Sequence, residues 1–173
     1  ADYVLAGSGI DVVVVKDLDF RTLDGGDALD AITGVQGLDT LKLSAIYTGP
    51  NAIVLADMVS NARGMSGNSV DDARVNAKGF HKLQNFEVLD LSSSAARQIL
   101  TVTPNDVAQL SETNRLEVLL GNNDVLLTPN FTVNYGHYLV NGTHYSARYT
   151  ADSVEMYVQG GQAAPDLEGS RFY

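Results

Sequence analysis

The sequence predicts a mainly β, β-sandwich-like domain with one or two short helices. Three observations support this prediction. Apolar runs rich in Val, Ile and Leu recur from residue 85 onward with turn residues between them. The pair Asn141-Gly142 separates two such runs, and this is a strong short-range signal for a β-hairpin. An apolar fraction of 45% in 173 residues is sufficient for one folded core.

The N-terminal part of the chain is rich in glycine and aspartate and contains a short repeat. Residues 25–33 (GGDALDAIT) and 34–42 (GVQGLDTLK) both fit the nonapeptide GGxGxDxUx, where U is a large apolar residue, except that Ala28 and Val35 each replace one glycine. A third copy, AGSGIDVVV, occupies residues 6–14. Each U residue is predicted to point from a short strand into the core. Ordinary β-turns are the alternative interpretation, because they are also rich in glycine and aspartate.

The chemistry of the nonapeptide indicates a calcium site. Glycine permits tight turns that aim carbonyl and carboxylate oxygens inward, and Ca²⁺ requires such hard oxygen ligands. The turn at 121–124 carries similar groups, although a simple tight turn is the favoured interpretation there. The candidate metal ligands are Asp11, Asp24, Asp27, Asp30, Asp39, Asn122 and Asp124.

The overall charge is consistent with a bound cation. The net charge of −10 argues against nucleic acid as a partner, since phosphates need Lys and Arg. Bound Ca²⁺ would offset the self-repulsion of the carboxylates, so folding is expected to depend on calcium. The chain has no cysteine, which excludes disulfides and thiol redox chemistry.

The remaining elements follow from local patterns. Residues 11–16 (DVVVVK) predict a strand that is buried on both faces, and residues 52–59 fit either a strand or the start of a helix. Thr103 as N-cap and Pro104 at the first helical position predict a short helix over 103–111. Other strands are predicted at 41–43, 85–91, 99–102, 115–121, 124–129, on both sides of 141–142, and at 153–160, with a short helix at 70–78.

These elements form one predicted domain over residues 1–160, followed by a tail or linker remnant at 161–173. Residues 44–80 are the least patterned part and are predicted to be an insertion carrying a ligand loop. No apolar run approaches the length of a membrane span, and the N-terminus does not have the form of a signal peptide. We expect the chain to be a segment of a longer polypeptide.

No catalytic arrangement is recognisable. The histidines lack zinc-site spacing, and the GMSG at 64–67 lacks a residue of the GxSxG pattern. The chain is therefore predicted not to be an enzyme. Tyr135 and Tyr138 lie in the predicted hairpin, where they would either pack across the strands or line a ligand groove.

Several segments resemble a domain type of very large bacterial RTX adhesins that are exported by type I secretion. The resemblance covers most of residues 23–159 and departs from the family pattern at the turn 121–124 and in the longer segment 44–80. The matching segments are GGDALD, GLDTLKL, FEVLDLSS, ILTVTPNDVAQLS, RLEVLLGNNDVLLT, THYSARYT and VEMYV.

The resemblance implies a split-type, calcium-dependent peptide-binding domain on the bacterial cell surface, with flanking domains and a role in adhesion and biofilm formation. In such domains a bound Ca²⁺ is implied to receive the C-terminal carboxylate of a host or neighbouring-cell protein. The rival functions are a structural spacer that calcium makes rigid and a calcium-dependent carbohydrate-binding domain. The candidate ligand-binding residues are Arg63, Ser66, Asn68, Asp71, Asp72, Tyr135 and Tyr138.

Overall fold

The computed structural model describes residues 2–16, 20–26, 37–44, 53–59, 83–93 and 97–163. This part of the chain is mainly β, as predicted. The described helices are α1 (Ala56–Val59) and α2 (Pro104–Leu110). In chain order the strands are β1 (Asp2–Leu5), β2 (Val12–Val15), β3 (Phe20–Asp24), β4 (Thr40–Leu43), β5 (Ile53–Val54), β6 (Leu83–Gln84), β7 (Val88–Asp90), β8 (Ile99–Thr101), β9 (Arg115–Leu119), β10 (Val125–Leu127), β11 (Thr132–Val140), β12 (Thr143–Ala151), β13 (Val154–Gln159) and β14 (Gln162–Ala163).

The described strands form three sheets, and from β3 to β10 the chain visits them in rotation, with α2 in place of one sheet A strand. Sheet A has the order β1-β3-β6, sheet B the order β11-β12-β13-β9-β7-β4-β2, and sheet C the order β14-β10-β8-β5. Every pairing is parallel except β11 with β12 and β12 with β13. A chain that passes through A, B and C and then starts again forms the stacked coils of a solenoid.

This topology differs from the predicted β-sandwich-like arrangement. A sandwich packs two antiparallel sheets face to face, with neighbouring strands joined by hairpins. Here β3, β4 and β5 belong to three different sheets, and each pairs in parallel with a strand of the next coil. The sequence signal was misleading because short apolar strands with turns between them are common to both architectures.

The inward positions of sheet B build the core. Val13, Leu41 and Leu89 are directly paired across β2, β4 and β7, and the same row continues through Val118 and Val158. All five are buried. Val13 and Leu41 are the U residues of two nonapeptides, so the prediction that these side chains enter the core is confirmed for both copies. The U residue of the remaining copy, Ile32, lies outside the described residues.

The prediction that β2 is buried on both faces is wrong. Val13 is buried, whereas the side chains of Val12 and Val14 are 60% and 55% exposed. β2 is the edge strand of sheet B, and only its inward face meets the core. The unbroken valine run reflects the preference of β-branched residues for strands and not burial on two sides.

The helix predicted at 103–111 is confirmed as α2. Thr103 is its N-cap, Pro104 occupies the first turn, and Asp106 completes a capping box by accepting a 2.8 Å hydrogen bond from the Thr103 amide. In the fourth coil α2 takes the position that a sheet A strand has in earlier coils, and the Phe86 amide donates to its Leu110 carbonyl.

Residues 52–59 were predicted to be either a strand or the start of a helix, and they contain both, β5 and α1. The helix predicted at 70–78 lies outside the described residues.

The predicted hairpin at Asn141-Gly142 is also confirmed. Both residues have positive φ, 49° and 81°, as a type I′ turn requires, and they join β11 to β12. The pairing register shifts between Tyr135 and Tyr138, which marks a bulge in β11.

The first residues of the predicted tail are part of the fold. β14 pairs with β10 and extends sheet C, while residues 164–173 lie outside the described part.

Candidate functional site

The turns that connect sheet A to sheet B are stacked in direct contact. A Cβ added at Gly26, whose φ is 100°, would lie 1.5 Å from the Gly7 carbonyl oxygen. One at Gly37 would lie 2.5 Å from the Gly9 carbonyl oxygen. Glycine is therefore required at Gly26 and Gly37 by the close approach of neighbouring coils. We call this stack the A–B corner; it contains residues 6–11, 25–26, 37–39, 85–87 and 111–114.

Three acidic residues link the coils at the A–B corner. The Asp11 amide donates to Asp39 Oδ1 at 2.8 Å, and the Asp39 amide donates to Glu87 Oε2 at 3.1 Å. The Ser111 hydroxyl contacts Glu87 Oε1 at 3.4 Å. Asp11, Asp39 and Glu87 thus form a column through successive coils, which we call the acidic ladder. It holds the coils in register by hydrogen bonds that run between coils.

The acidic ladder has more negative charge than its hydrogen bonds satisfy. Asp11 Oδ2 and Asp39 Oδ2 are buried and have no hydrogen-bond partner among the described residues. Burial raises the pKa of Asp39, and the neighbouring charges of Asp11 and Glu112 raise it further. Burial raises the pKa of Glu87 to about 7. Buried carboxylates without a counter-charge are costly, so this corner favours a cation.

The described residues of the A–B corner provide some, but not all, of the oxygen ligands that a hard cation needs. Two unpartnered carboxylate oxygens are appropriate ligands for Ca²⁺, which takes six to eight oxygens. Within the described ranges no cluster of three or more His, Cys, Asp or Glu is close enough to hold a metal. Asp27 and Asp30, which the sequence assigns to the same turns, lie outside those ranges. Asp11 and Asp39 would therefore supply two ligands, with the others drawn from backbone carbonyls or water.

Two other predicted metal ligands, Asp24 and Asp124, accept hydrogen bonds in the structure. Asp24 accepts hydrogen bonds from the Gly26 amide and from the side chains of Gln84 and Asn85, at 2.7–3.0 Å. Its carboxylate thus joins the second coil to the third.

Asp124 has a comparable role at the corner between sheets B and C. It is buried, and its two oxygens accept hydrogen bonds from the backbone amides of Gln98 and Gly121 at 2.8 and 2.7 Å. Asn122 is exposed in the same turn. This arrangement fits the tight-turn interpretation of residues 121–124, and it places Asp124 on a different corner from Asp11 and Asp39.

Two of the predicted ligand-binding residues, Tyr135 and Tyr138, lie in the described part of the chain. Arg63, Ser66, Asn68, Asp71 and Asp72 lie outside the described residues. Tyr135 is 65% exposed on β11. Tyr138 packs edge-on against Tyr157, with ring centroids 6.0 Å apart.

A second candidate site lies under the tip of the hairpin. It is a cavity of about 170 Å³ whose walls come from the A–B corner, β9 and the hairpin turn. We call it the hairpin cavity. Glu117 on β9 is its central group, because three side chains converge on this carboxylate. The residues that line the cavity are Leu38, Glu87, Thr113, Arg115, Glu117 and Asn141.

The hydrogen bonds around Glu117 fix the hairpin tip over sheet B. Glu117 Oε1 accepts from the Arg115 guanidinium at 2.8 Å and from the Asn141 amide at 3.0 Å. Its Oε2 accepts from the Tyr145 hydroxyl. Burial and the neighbouring Glu117 raise the pKa of Tyr145, so its hydroxyl remains a donor. The Arg115 guanidinium also lies 5.0 Å from the centroid of the Tyr157 ring.

Sequence reasoning did not single out Glu87, Arg115, Glu117 or Asn141 as site residues. A usable signal was present: Glu87 and Glu117 are charged residues inside the apolar segments FEVLDL and RLEVLL. A carboxylate within an apolar strand segment is either exposed or buried with partners, and both of these are buried. Three of the partners, Ser111, Asn141 and Tyr145, lie 24 to 28 positions further along the chain, and only the fold brings them to these carboxylates.

No family model, no curated protein and no solved structure matches this chain. Neither helix in the described part has the length and apolar character to cross a bilayer. Function must therefore be argued from the acidic ladder and the hairpin cavity.

Proposed function

We propose that this chain is a non-enzymatic, Ca²⁺-dependent ligand-binding domain of a secreted bacterial adhesin. The observation that carries the calcium part is the pair of buried, unpartnered oxygens, Asp11 Oδ2 and Asp39 Oδ2, on adjacent coils. A divalent cation between them would neutralise charges that otherwise oppose stacking. Placed there, Ca²⁺ would lock the N-terminal coils and complete a calcium-stabilised fold.

The calcium proposal is tested by comparing two isosteric substitutions. Asp39→Asn keeps an oxygen for the Asp11 amide but removes one charged ligand, so we expect Ca²⁺ affinity to fall at least roughly tenfold. In EGTA the same variant should melt at the wild-type temperature or higher, because a buried charge has been removed. Calorimetric titration with CaCl₂ and thermal melts in both buffers measure these effects.

Asp124→Asn is the matched control. Both Asp124 oxygens accept hydrogen bonds from backbone amides. In Asp124→Asn the side-chain NH₂ replaces one of these acceptors and meets a backbone N–H, so the substitution should destabilise the protein by about 1–3 kcal/mol. The loss should be equal in Ca²⁺ and in EGTA, with Ca²⁺ affinity unchanged. If Asp39→Asn behaves in this way as well, Asp39 is a structural acceptor and the proposed metal position is wrong.

The ligand part of the proposal is the capture of a peptide or protein C-terminus. A terminal carboxylate would complete the coordination of a Ca²⁺ ion, and a neighbouring groove would select the preceding side chains. The segment 44–80 contains the candidate loop for this role. A structural spacer is the second candidate function, because the carboxylates of Asp24 and Asp124 link coils through hydrogen bonds.

Peptide binding separates these two functions. We expect a subset of short peptides with free C-termini to bind in Ca²⁺ by calorimetry, and the same peptides with amidated C-termini to lose at least roughly tenfold in affinity. A spacer would bind neither set. Equal binding of free and amidated peptides would exclude capture of the carboxylate by the metal.

A further inference from the structure

The hairpin cavity has a chemistry that differs from carboxylate capture. We propose that it is a binding site for a primary ammonium group, such as the side chain of a lysine or a free alkylamine. The site is separate from the calcium site, since neither Asp11 nor Asp39 lines the cavity, and the two sites meet only where the Asp39 amide donates to Glu87. It is based on the charge of the walls, on their hydrogen-bond acceptors and on the way the hairpin closes over them.

The walls contain two carboxylates and one cation. Glu87 and Glu117 are only 1% and 3% exposed. The single guanidinium, that of Arg115, is committed to Glu117 at 2.8 Å. Glu87 has only neutral donors, the Asp39 amide and the Ser111 hydroxyl, and makes no ion pair within the described chain. One negative charge of the cavity is therefore left without a counter-ion, and an entering cation would provide it.

The acceptors suit an ammonium better than a second guanidinium. An ammonium has three donors on a compact centre, and the walls present Glu87, Glu117 and the Thr113 hydroxyl as acceptors. A guanidinium needs a planar, two-pronged acceptor, and Arg115 already engages Glu117. Leu38 provides an apolar wall against which the methylene stem of a lysine could lie.

The hairpin makes this cavity a formed site. The bulge between Tyr135 and Tyr138 lies in β11 just before the tip, and a bulge bends its strand and redirects the side chains beyond it. Asn141 in the turn then donates to Glu117 at 3.0 Å, which ties the tip to β9. Because the tip is held by Asn141 and Tyr145 together, the walls are in place before a ligand arrives.

The test uses a capped pentapeptide, acetyl-Gly-Ala-Lys-Ala-Gly-amide, titrated into the full chain in Ca²⁺ and followed by ¹⁵N–¹H NMR. We expect saturable shifts of the Asn141 side-chain amide. Glu87→Gln, which preserves shape and an acceptor while removing the charge, should weaken binding at least roughly tenfold. Glu155→Gln is the matched control: Glu155 is on β13, pairs with Arg148 and does not line the cavity, so binding should be unchanged.

Two further probes test whether the cavity recognises the positive charge of the ammonium group. The same peptide with Nε-acetyllysine should not bind, and equal binding would overturn the proposal. Propionate is the opposing probe, because Arg115 Nε is a buried donor with no acceptor among the described residues. Tighter binding of propionate than of butylamine at Asn141 would make the cavity an anion site and overturn the proposal.

The source of the ammonium is decided by a further comparison. Butylamine and the lysine peptide share the charged group and differ in the backbone. Tighter binding of the peptide would support a protein ligand, and equal binding would support a free amine; both outcomes support recognition of the ammonium. Loss of binding in Glu155→Gln as well as in Glu87→Gln would point to general electrostatic attraction and overturn the site assignment.

Discussion

Removal of Ca²⁺ with EGTA should lower the melting temperature of the protein by roughly 10 °C. A ligand that binds only the folded state contributes about 4 kcal/mol when its free concentration is a thousand times its dissociation constant. For a chain of this size each kcal/mol corresponds to about 2–4 °C. The effect is expected to be large because the metal would relieve repulsion between buried carboxylates of Asp11, Asp39 and Glu87 that the protein itself does not neutralise.

The measurement is a thermal melt followed by circular dichroism in millimolar CaCl₂ and in EGTA. MgCl₂ in place of CaCl₂ is the control for ionic strength and divalent charge, since Mg²⁺ requires near-ideal octahedral geometry and gives up its water reluctantly. Mg²⁺ should restore little of the lost stability. Identical melting temperatures in CaCl₂ and in EGTA would contradict the calcium proposal. Full recovery of the melting temperature with MgCl₂ would mean that any divalent cation stabilises the protein by screening its charge.

Much of the secondary structure could be predicted because its signals are local. Thr103 and Pro104 mark the start of α2, and Asn141-Gly142 fixes a two-residue hairpin, through interactions within a few residues. The arrangement of sheets could not be predicted in this way. Whether a strand pairs with its sequence neighbour or with the next coil is decided by contacts such as Leu41 with Leu89, 48 residues apart, which leave no short-range pattern.

The candidate site could be predicted only at the nonapeptide repeats. The nonapeptides pointed to Asp11 and Asp39, and these two residues are adjacent in the structure. Asp24 and Asp124 satisfy the same composition rule, yet their carboxylates accept hydrogen bonds between coils. An aspartate in a turn can be a metal ligand or a hydrogen-bond acceptor. Only the donors that lie around each of its oxygens distinguish these two roles. Glu87 was missed because it lies in the A–B corner without a nonapeptide around it.

Glu87 should give the Ca²⁺-free protein an unusual pH dependence. The pKa of this carboxyl is raised to about 7 in the folded protein, first by burial and then by the charges of Asp39 and Glu112, although the Asp39 amide and the Ser111 hydroxyl oppose the shift. In the unfolded chain the pKa of the Glu87 carboxyl is near its ordinary value of 4.5. Between these values the folded state holds more protons than the unfolded state, so stability falls as the pH rises from about 4.5 to about 7 and is constant above.

The size of this effect follows from the shift. About 2.5 pH units at about 1.4 kcal/mol each correspond to roughly 3 kcal/mol, or about 6–12 °C in melting temperature. The measurement is a series of urea melts in EGTA from pH 4.5 to 8, comparing wild type with Glu87→Gln. The difference between the two proteins removes the contribution of every other titrating group, provided that those groups do not respond to the substitution.

Glu87→Gln should therefore gain stability over wild type at pH 8 and lose that advantage toward pH 4.5, where the wild-type carboxyl is protonated. Glu155→Gln is the control: the hydrogen bond from Arg148 lowers the pKa of Glu155 below its ordinary value of 4.5, so its ion pair is present throughout this pH range and the difference between wild type and Glu155→Gln should stay nearly flat. A difference between wild type and Glu87→Gln that stays flat across this range would mean that Glu87 is not perturbed in the folded protein. Added Ca²⁺ should reduce the slope, because a cation at Asp11 and Asp39 lies beside Glu87 and favours its ionised form.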